Sequence, residues 1–252
     1  MSYGIGTAKG PEAILESSQQ LELFDGTSIP AEHGIYTHPP IDCEGKPEAV
    51  VKKIKAAVAS ALTLEKIPVL LGGEHTVSVG AFQAIKETIK NVGIIQFDAH
   101  ADLRNTYEGT PHSHACVMPP GPGSKNSLFP DRRAQLSHTR SISSDVKRIP
   151  HLDASTLHET EIPLQYCRRI FLENIYITFD VDAFDPSIMP ATGTPEPGGL
   201  AWHQTFERLN ASSLPARSSG LTVELAPVSG MHFPEFTVAR FIYNPWVSSP
   251  GK

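Results

Sequence analysis

Asp98-Ala99-His100-Ala101-Asp102 sets three ligand-type side chains at alternate positions. Successive side chains of an extended chain point to opposite faces, so extended backbone here would turn Asp98, His100 and Asp102 the same way. Two acids and an imidazole crowded on one face repel or are badly solvated without a cation, and a divalent metal resolves this. Taken alone, the cluster also fits a solvated loop with incidental charge. Asp180-Val181-Asp182 repeats the pattern with two carboxylates of one parity. By itself it fits a turn or a helix cap as well. Gly72-Gly73-Glu74-His75 adds a histidine after two glycines, which let backbone approach a site closely. The parity of Glu74 points it away from His75.

The candidate metal ligands are therefore His75, Asp98, His100, Asp102, Asp180 and Asp182. Four carboxylates and two imidazoles favour manganese or magnesium over thiolate-type zinc, and the imidazoles tilt the choice toward manganese. Six ligands are too many for one catalytic ion that must keep an open position. Two ions about 3.5–4 Å apart, sharing carboxylates, fit better.

All three groups come directly after short apolar runs. Ile67 to Leu71 reads as a buried strand, with Pro68 near its start where a missing donor is tolerated. Val92 to Phe97 and Asn174 to Phe179 read the same way, and Leu221 to Leu225 is a fourth. Helical spacing appears between them. Val50, Ile54, Val58 and Leu62 recur at 47–64, which opens on Pro47, and further helical patterns lie at 79–89, near 202–213 and at 234–243. Buried strands separated by helices imply a parallel sheet covered on both faces, with ligands at the carboxyl ends of its strands. Two stretches break the pattern. Residues 119–150 are rich in Pro, Gly, Ser and Arg without an apolar period, and 187–199 reads as a Pro/Gly loop. No repeat or sharp composition shift divides the chain, so 1–252 reads as one domain.

The 252 residues include 40% hydrophobic and 19% charged side chains, enough apolar material for a large core. A net charge of −6 leaves no basic footprint for nucleic acid. No apolar run approaches the roughly 18 to 20 residues that span a bilayer. The N-terminus lacks the pattern of a signal peptide. Cys43, Cys116 and Cys167 are scattered and form no C-x-x-C pair, which argues against a disulfide framework and for a reducing compartment. A cytoplasmic location follows.

The segments LLGGEH, FDAHAD and TFDVDAFDP, in this order, resemble the ureohydrolases, the family of arginases and agmatinases. SYGIGTAKGPEAI, ATGTPEPGGL and VELAP are also similar to family segments, so the resemblance covers most of the chain. It implies a three-layer α/β/α sandwich with a mainly parallel sheet and two manganese ions. His75, Asp98, Asp102 and Asp180 would hold one ion, and Asp98, His100, Asp180 and Asp182 the other, with Asp98 and Asp180 bridging. The implied reaction is hydrolysis of a guanidino compound to urea and an amine by a hydroxide bridging the metals. Glu224 in VELAP matches the glutamate that pairs with the guanidinium; without the resemblance it reads as a strand-end residue facing solvent. A histidine would carry the proton to the leaving amine. His112 and His114 share a parity, so spacing cannot rank them, and the similarity of SHACVM to the family favours His114.

Arginases read DAHADIN, with an Asn that contacts the amino-acid end of arginine, where this chain reads Asp102-Leu103-Arg104, and DLRNTYEG and SHACVM look like bacterial and archaeal agmatinases. Agmatine, converted to putrescine and urea, is the first substrate expected, with a guanidino acid or another guanidino amine next. The partners expected are this small guanidino substrate and further copies of the chain, as trimer or hexamer by the resemblance. Two departures stand against the family pattern. Met1 directly precedes SYGIGT, so the first family strand is expected to be missing. Prolines follow SHACVM at once, so 119–150 is expected to be irregular and its mid-chain strand is in doubt. These favour, as rivals, a non-catalytic or damaged relative that binds metal but turns over poorly. A related single-zinc amidohydrolase of the deacetylase kind is another.

Overall fold

The computed structural model describes residues 6–26, 28–118, 133–137, 151–153, 174–213, 217–225 and 230–244. Six strands form one sheet: β1 (Val69–Gly72), β2 (Val92–Asp98), β3 (Arg133–Ser137), β4 (His151–Asp153), β5 (Asn174–Asp180) and β6 (Arg217–Glu224). Their spatial order is β1-β6-β5-β2-β3-β4, and every pairing is parallel. The helices are α1 (Gly10–Ser18), α2 (Pro47–Thr63), α3 (Val77–Thr88), α4 (Trp202–Ser213) and α5 (Phe233–Ile242). Pro11, Pro47 and Pro234 sit in first turns, where a missing N–H costs nothing.

Two apolar clusters sandwich the sheet. On one face Ile54 and Val58 of α2 and Phe82 and Ile85 of α3 pack with Ile94 and Tyr176. On the other, Ile14, Leu209, Val238 and Phe241 pack with Ile95, Phe97, Ile177, Phe179 and Val223. Helices on both faces make the three-layer α/β/α sandwich. The period-2 alternation of β2, β5 and β6 divides them differently. Ile95, Phe97, Ile177, Phe179, Leu221 and Val223 face the α1/α4/α5 side, while the opposite parity carries Gln96, Asp98, Thr178, Asp180, Thr222 and Glu224. One face is thus apolar throughout, and the other turns polar toward its carboxyl end.

Two features differ from the sequence reading. The stretch 119–150, expected to be irregular, contains β3, which pairs with β2 from Ile94↔Arg133 to Asp98↔Ser137 and with β4 on its other side. Its apolar signal, Ala134 and Leu136 only, is too weak to mark a strand. Ladder bonds on both edges override local pattern here. β2 is consequently an interior strand. The rest of that stretch, 119–132 and 138–150, lies outside the described residues. The other feature is α1, which the apolar pattern does not mark.

Two glycines allow close backbone packing at the carboxyl-end edge of the sheet. A Cβ on Gly10 would stand 2.4 Å from the carbonyl oxygen of Leu225, and one on Gly73 only 1.7 Å from that of Thr7. Gly73 therefore lets the 6–10 segment lie directly across the exit of β1, two residues before His75. Because backbone opposes backbone, no rotamer change can relieve an added methyl group. Gly73→Ala is expected to lower stability by about 3 kcal/mol, read by denaturant titration, and to weaken metal binding at His75. An unchanged midpoint would contradict this packing.

Candidate active site

Each cluster residue leaves the carboxyl end of a strand. Asp98 ends β2, Asp180 ends β5 and stands in register with Glu224 at the end of β6, and Glu224 in turn neighbours Gly72 of β1. His75 follows two residues after Gly73, just before α3 begins at Val77. The six side chains proposed from sequence come together. His75 Nδ1 lies 2.8 Å from Asp102 Oδ2, 3.1 Å from Asp98 Oδ2 and 3.9 Å from Asp180 Oδ2. His100 Nδ1 lies 2.9 Å from Asp182 Oδ2 and 3.7 Å from Asp98 Oδ1. Two triads able to hold an ion emerge, His75/Asp98/Asp180 and Asp98/His100/Asp182, each with ligand atoms within 4.8 Å of one another. Asp98 belongs to both, and Asp180 to one.

The convergence is not the one extended backbone would give. β2 stops at Asp98, the His100 N–H turns back to donate to Asp98 Oδ1 at 2.6 Å, and Asp102 has φ 47. Asp102 so adopts the left-handed conformation that Asp tolerates better than most residues. At the second motif the Asp182 N–H donates to Asp180 Oδ1 at 3.0 Å and Val181–Ala183 is a single 3₁₀ turn. Side-chain-to-backbone bonds of this Asx kind curl both motifs inward.

Beneath the cluster lies a buried polar layer that sequence reading left unassigned. Gln96 Nε2 donates to Asp98 Oδ2 at 2.6 Å. His75 Nε2 meets Thr178 Oγ1 at 2.8 Å, Thr178 meets Ser78 Oγ at 3.0 Å, and Ser78 donates to Glu224 Oε1 at 3.1 Å. The signal was present in VGIIQF and NIYITF, where Gln96 and Thr178 stand among the buried apolar residues near the end of each run. Glu224 does not face solvent. It is 2% exposed, and its Oε2 has no hydrogen-bond partner.

The two candidate proton carriers stand apart. His112 Nε2 lies 3.8 Å from Glu48 at the start of α2. His114 Nδ1 lies 3.3 Å from Glu74 Oε1, and the edge of the Tyr107 ring meets the imidazole with centroids 5.5 Å apart. Glu74 turns from the cluster, as its parity suggested.

Electrostatics explain what the cluster lacks. Burial, then the Asp102 charge, pushes Asp98 up to about 6, and burial with the Asp182 charge pushes Asp180 up to about 7. Burial also raises Asp102 and Asp182. The hydrogen bond to Asp182 and the surrounding carboxylates outweigh burial and push His100 up to about 10. His75 is raised well above the usual range too: burial opposes its charge, but Glu224, Asp102 and Asp98 outweigh burial. The cluster therefore favours bound positive charge. The donor set suits hard divalent cations, so the residues present fit a binuclear metal centre.

An arriving ion must displace bound protons. At pH 8 Asp98 and Asp180 are ionised and His100 must lose its proton. As the pH falls through 7 and 6, Asp180 and then Asp98 become protonated as well, so metal affinity falls. Calorimetric titration with manganese in buffers of different ionisation heat should give net proton release at pH 8, and binding roughly tenfold weaker or more at pH 6. A pH-independent affinity without proton release would contradict this site.

Comparison with known proteins places the arrangement. The N(1)-aminopropylagmatine ureohydrolase of Synechocystis sp. is 33% identical over 96% of this chain and 83% of its own length. The agmatinase of Halalkalibacterium halodurans is 32% identical over 66% of this chain and 57% of its own. The crystal structure of the agmatine ureohydrolase of Thermoplasma volcanium superposes with a TM-score of 0.83 at 25% identity, covering 98% of this chain and 85% of that one. Among the described residues no helix is long and apolar enough to cross a membrane. A sequence profile of the arginase family matches residues 1–244, and the chain belongs to that family.

Proposed function

We propose that this chain is a manganese-dependent ureohydrolase that cleaves the terminal guanidinium of an agmatine-type amine, releasing urea. The observation that carries the reading is Glu224. A fully buried carboxylate oxygen without a donor stands beside the ligand cluster, aligned with Asp180 across the sheet. A guanidinium offers paired N–H donors to such a group. Its positive charge also answers the burial that raises Glu224 well above the usual carboxylate range.

His75, Asp98, Asp102 and Asp180 would hold one ion, and Asp98, His100, Asp180 and Asp182 the other. When bound, the ions supply the Lewis acidity that makes water a nucleophile at neutral pH. Glu224 orients the guanidinium so that its planar carbon faces that water. A C–O bond forms, and a C–N bond to the amine breaks. His114 gives its proton to the departing nitrogen and the new C–OH group gives one up to solvent, so that a neutral amine leaves and urea remains.

The substrate is read from two sides. Leu103 and Arg104 stand where arginases carry the contact for an amino-acid end, which favours an amine over arginine. Agmatine and N(1)-aminopropylagmatine share the guanidinium end that Glu224 would bind, and relatives named for each align with this chain. A cytoplasmic homo-oligomer belongs to the same reading, supported by the family resemblance and by Cys43 and Cys116, which are both free thiols.

Urea release from the manganese-loaded protein should be measured with agmatine, N(1)-aminopropylagmatine, arginine and guanidinobutyrate. The two agmatine-type amines are expected to lead. Preferred turnover of arginine, or no urea from any of the four, would refute the proposal. His114→Ala should keep its manganese and lose about 10²–10⁴-fold in kcat, the usual contribution of a general acid. The same loss in His112→Ala, with His114→Ala unaffected, would move the role to the other histidine.

A further inference from the structure

We propose that Glu74 is a positioning residue for His114: it receives the ring Nδ1–H, fixes the tautomer, and so assigns Nε2 to the proton exchanged with the leaving amine. This rests on the reading of His114 given above. Nothing in the ligand set requires Glu74, which turns from the cluster although it directly precedes His75.

Contacts from two sides immobilise the Glu74 carboxylate, Thr76 on one and His114 on the other. The Thr76 N–H donates to Oε2 at 3.2 Å, and the Thr76 hydroxyl to Oε1 at 2.7 Å. Both come from the turn that leads into α3, a rigid element. On its outer side the carboxylate meets His114 twice, through the ring Nδ1 at 3.3 Å and through the backbone N–H. A carboxylate that grips a histidine by main chain and ring fixes both its place and its rotation. Tyr107 packs against the imidazole, Arg104 lies 4.9 Å over the Tyr107 ring, and Ser113 Oγ, at 3.4 Å, is the more distant neighbour of the same Nδ1. His112, two residues away, reaches Glu48 instead and has no such grip.

Tautomer matters because a neutral imidazole carries one proton on either nitrogen. With Nδ1–H held by Glu74, the proton given up from the imidazolium is the one on Nε2, and the neutral ring that remains is the Nδ1–H form. A carboxylate that orients a reactive imidazole from behind is a recurrent arrangement of catalytic histidines. Here the sequence interval is fixed as well: the orienting acid and the ligand His75 are adjacent, so one turn sets the ion's side and the proton's side of the site together.

The test reads the tautomer directly. The protein is labelled with ¹⁵N-histidine and loaded with diamagnetic zinc in place of manganese. The His114 signals are assigned by their loss in His114→Ala and followed above the pH of imidazole titration. The wild type is expected as the Nδ1–H tautomer. Glu74→Ala should shift the population toward Nε2–H, and the manganese form of that variant should lose roughly 10–100-fold in kcat with KM and metal content nearly unchanged. Glu74→Gln keeps an acceptor and should restore most of both. A wild-type Nε2–H tautomer overturns the proposal, whatever the variants do. So does a Glu74→Ala spectrum identical to wild type, or a variant that loses metal while its tautomer stays fixed. If Glu74→Ala fails to fold, the wild-type spectrum and Glu74→Gln decide. Absence of any urea release by the wild type would strike the proposed function and leave the tautomer measurement intact.

Discussion

Four carboxylates and two imidazoles packed at one sheet edge are the constraint on which the rest of this structure turns. Burying unpaired acids costs far more than a small domain can offset. Burial raises Asp98 and Asp180, and the surrounding carboxylates raise His100, so this edge favours bound positive charge. A parallel sheet makes such crowding possible. It brings β1, β2, β5 and β6 to a common end in the same direction, so residues from four distant stretches meet without any long loop reaching inward. The apolar face, from Phe97 through Phe179 to Val223, anchors those strands against α1, α4 and α5 and leaves the opposite parity available for polar work.

That opposite parity forms a layered support. Gln96, Thr178 and Thr222 sit one step below Asp98, Asp180 and Glu224, and the same rows align across β2, β5 and β6. Thr178 takes the Nε2 side of His75, which leaves Nδ1 facing Asp98 and Asp102. Ser78 and Thr178 then tie that histidine to Glu224, so the ligand set and the carboxylate proposed for substrate share one hydrogen-bonded frame. Tyr176 and Thr222 hydroxyls pair deeper still. Outer partners of this kind orient a metal's ligands and set which atoms remain for the ion. They sit on strands and on α3, the most rigid elements available.

Much of this was legible in the sequence because it depends on period and position. β2, β5 and the core of β6 are apolar runs, and α2 and α3 carry helical spacing, so their places follow from local pattern. The six ligand candidates were legible because they stand directly after those runs. What escaped was whatever tertiary contact decides. β3 has little apolar signal and exists through its two neighbours. The inward curl of Asp98–Asp102 and Asp180–Asp182 comes from side chains bonding back to the chain, which parity in an extended strand does not contain. Glu224 reads as a solvent-facing strand end until α3 covers it. His112 and His114 are indistinguishable by spacing and are separated only by what lies opposite each, Glu48 or Glu74.

The chemistry and the choice of substrate occupy different parts of the architecture. Everything that would act on a guanidinium stands on a strand end or the first turn after it: the ligand cluster, Glu224 and the Gly72–Glu74 turn. These positions are held on both sides by backbone ladders and packed faces, and they change only at the expense of the sheet. Under the proposed function the rest of the amine would extend beyond the sheet edge, where segments such as 103–113 and 187–199 are held by turns and side-chain contacts rather than by ladders. One such contact is the Arg104–Tyr107 pair beside His114. A family organised this way can keep one reaction at the guanidinium while its members differ in the amine they accept. Relatives bearing two substrate names match this chain, and the strands alone do not choose between those substrates.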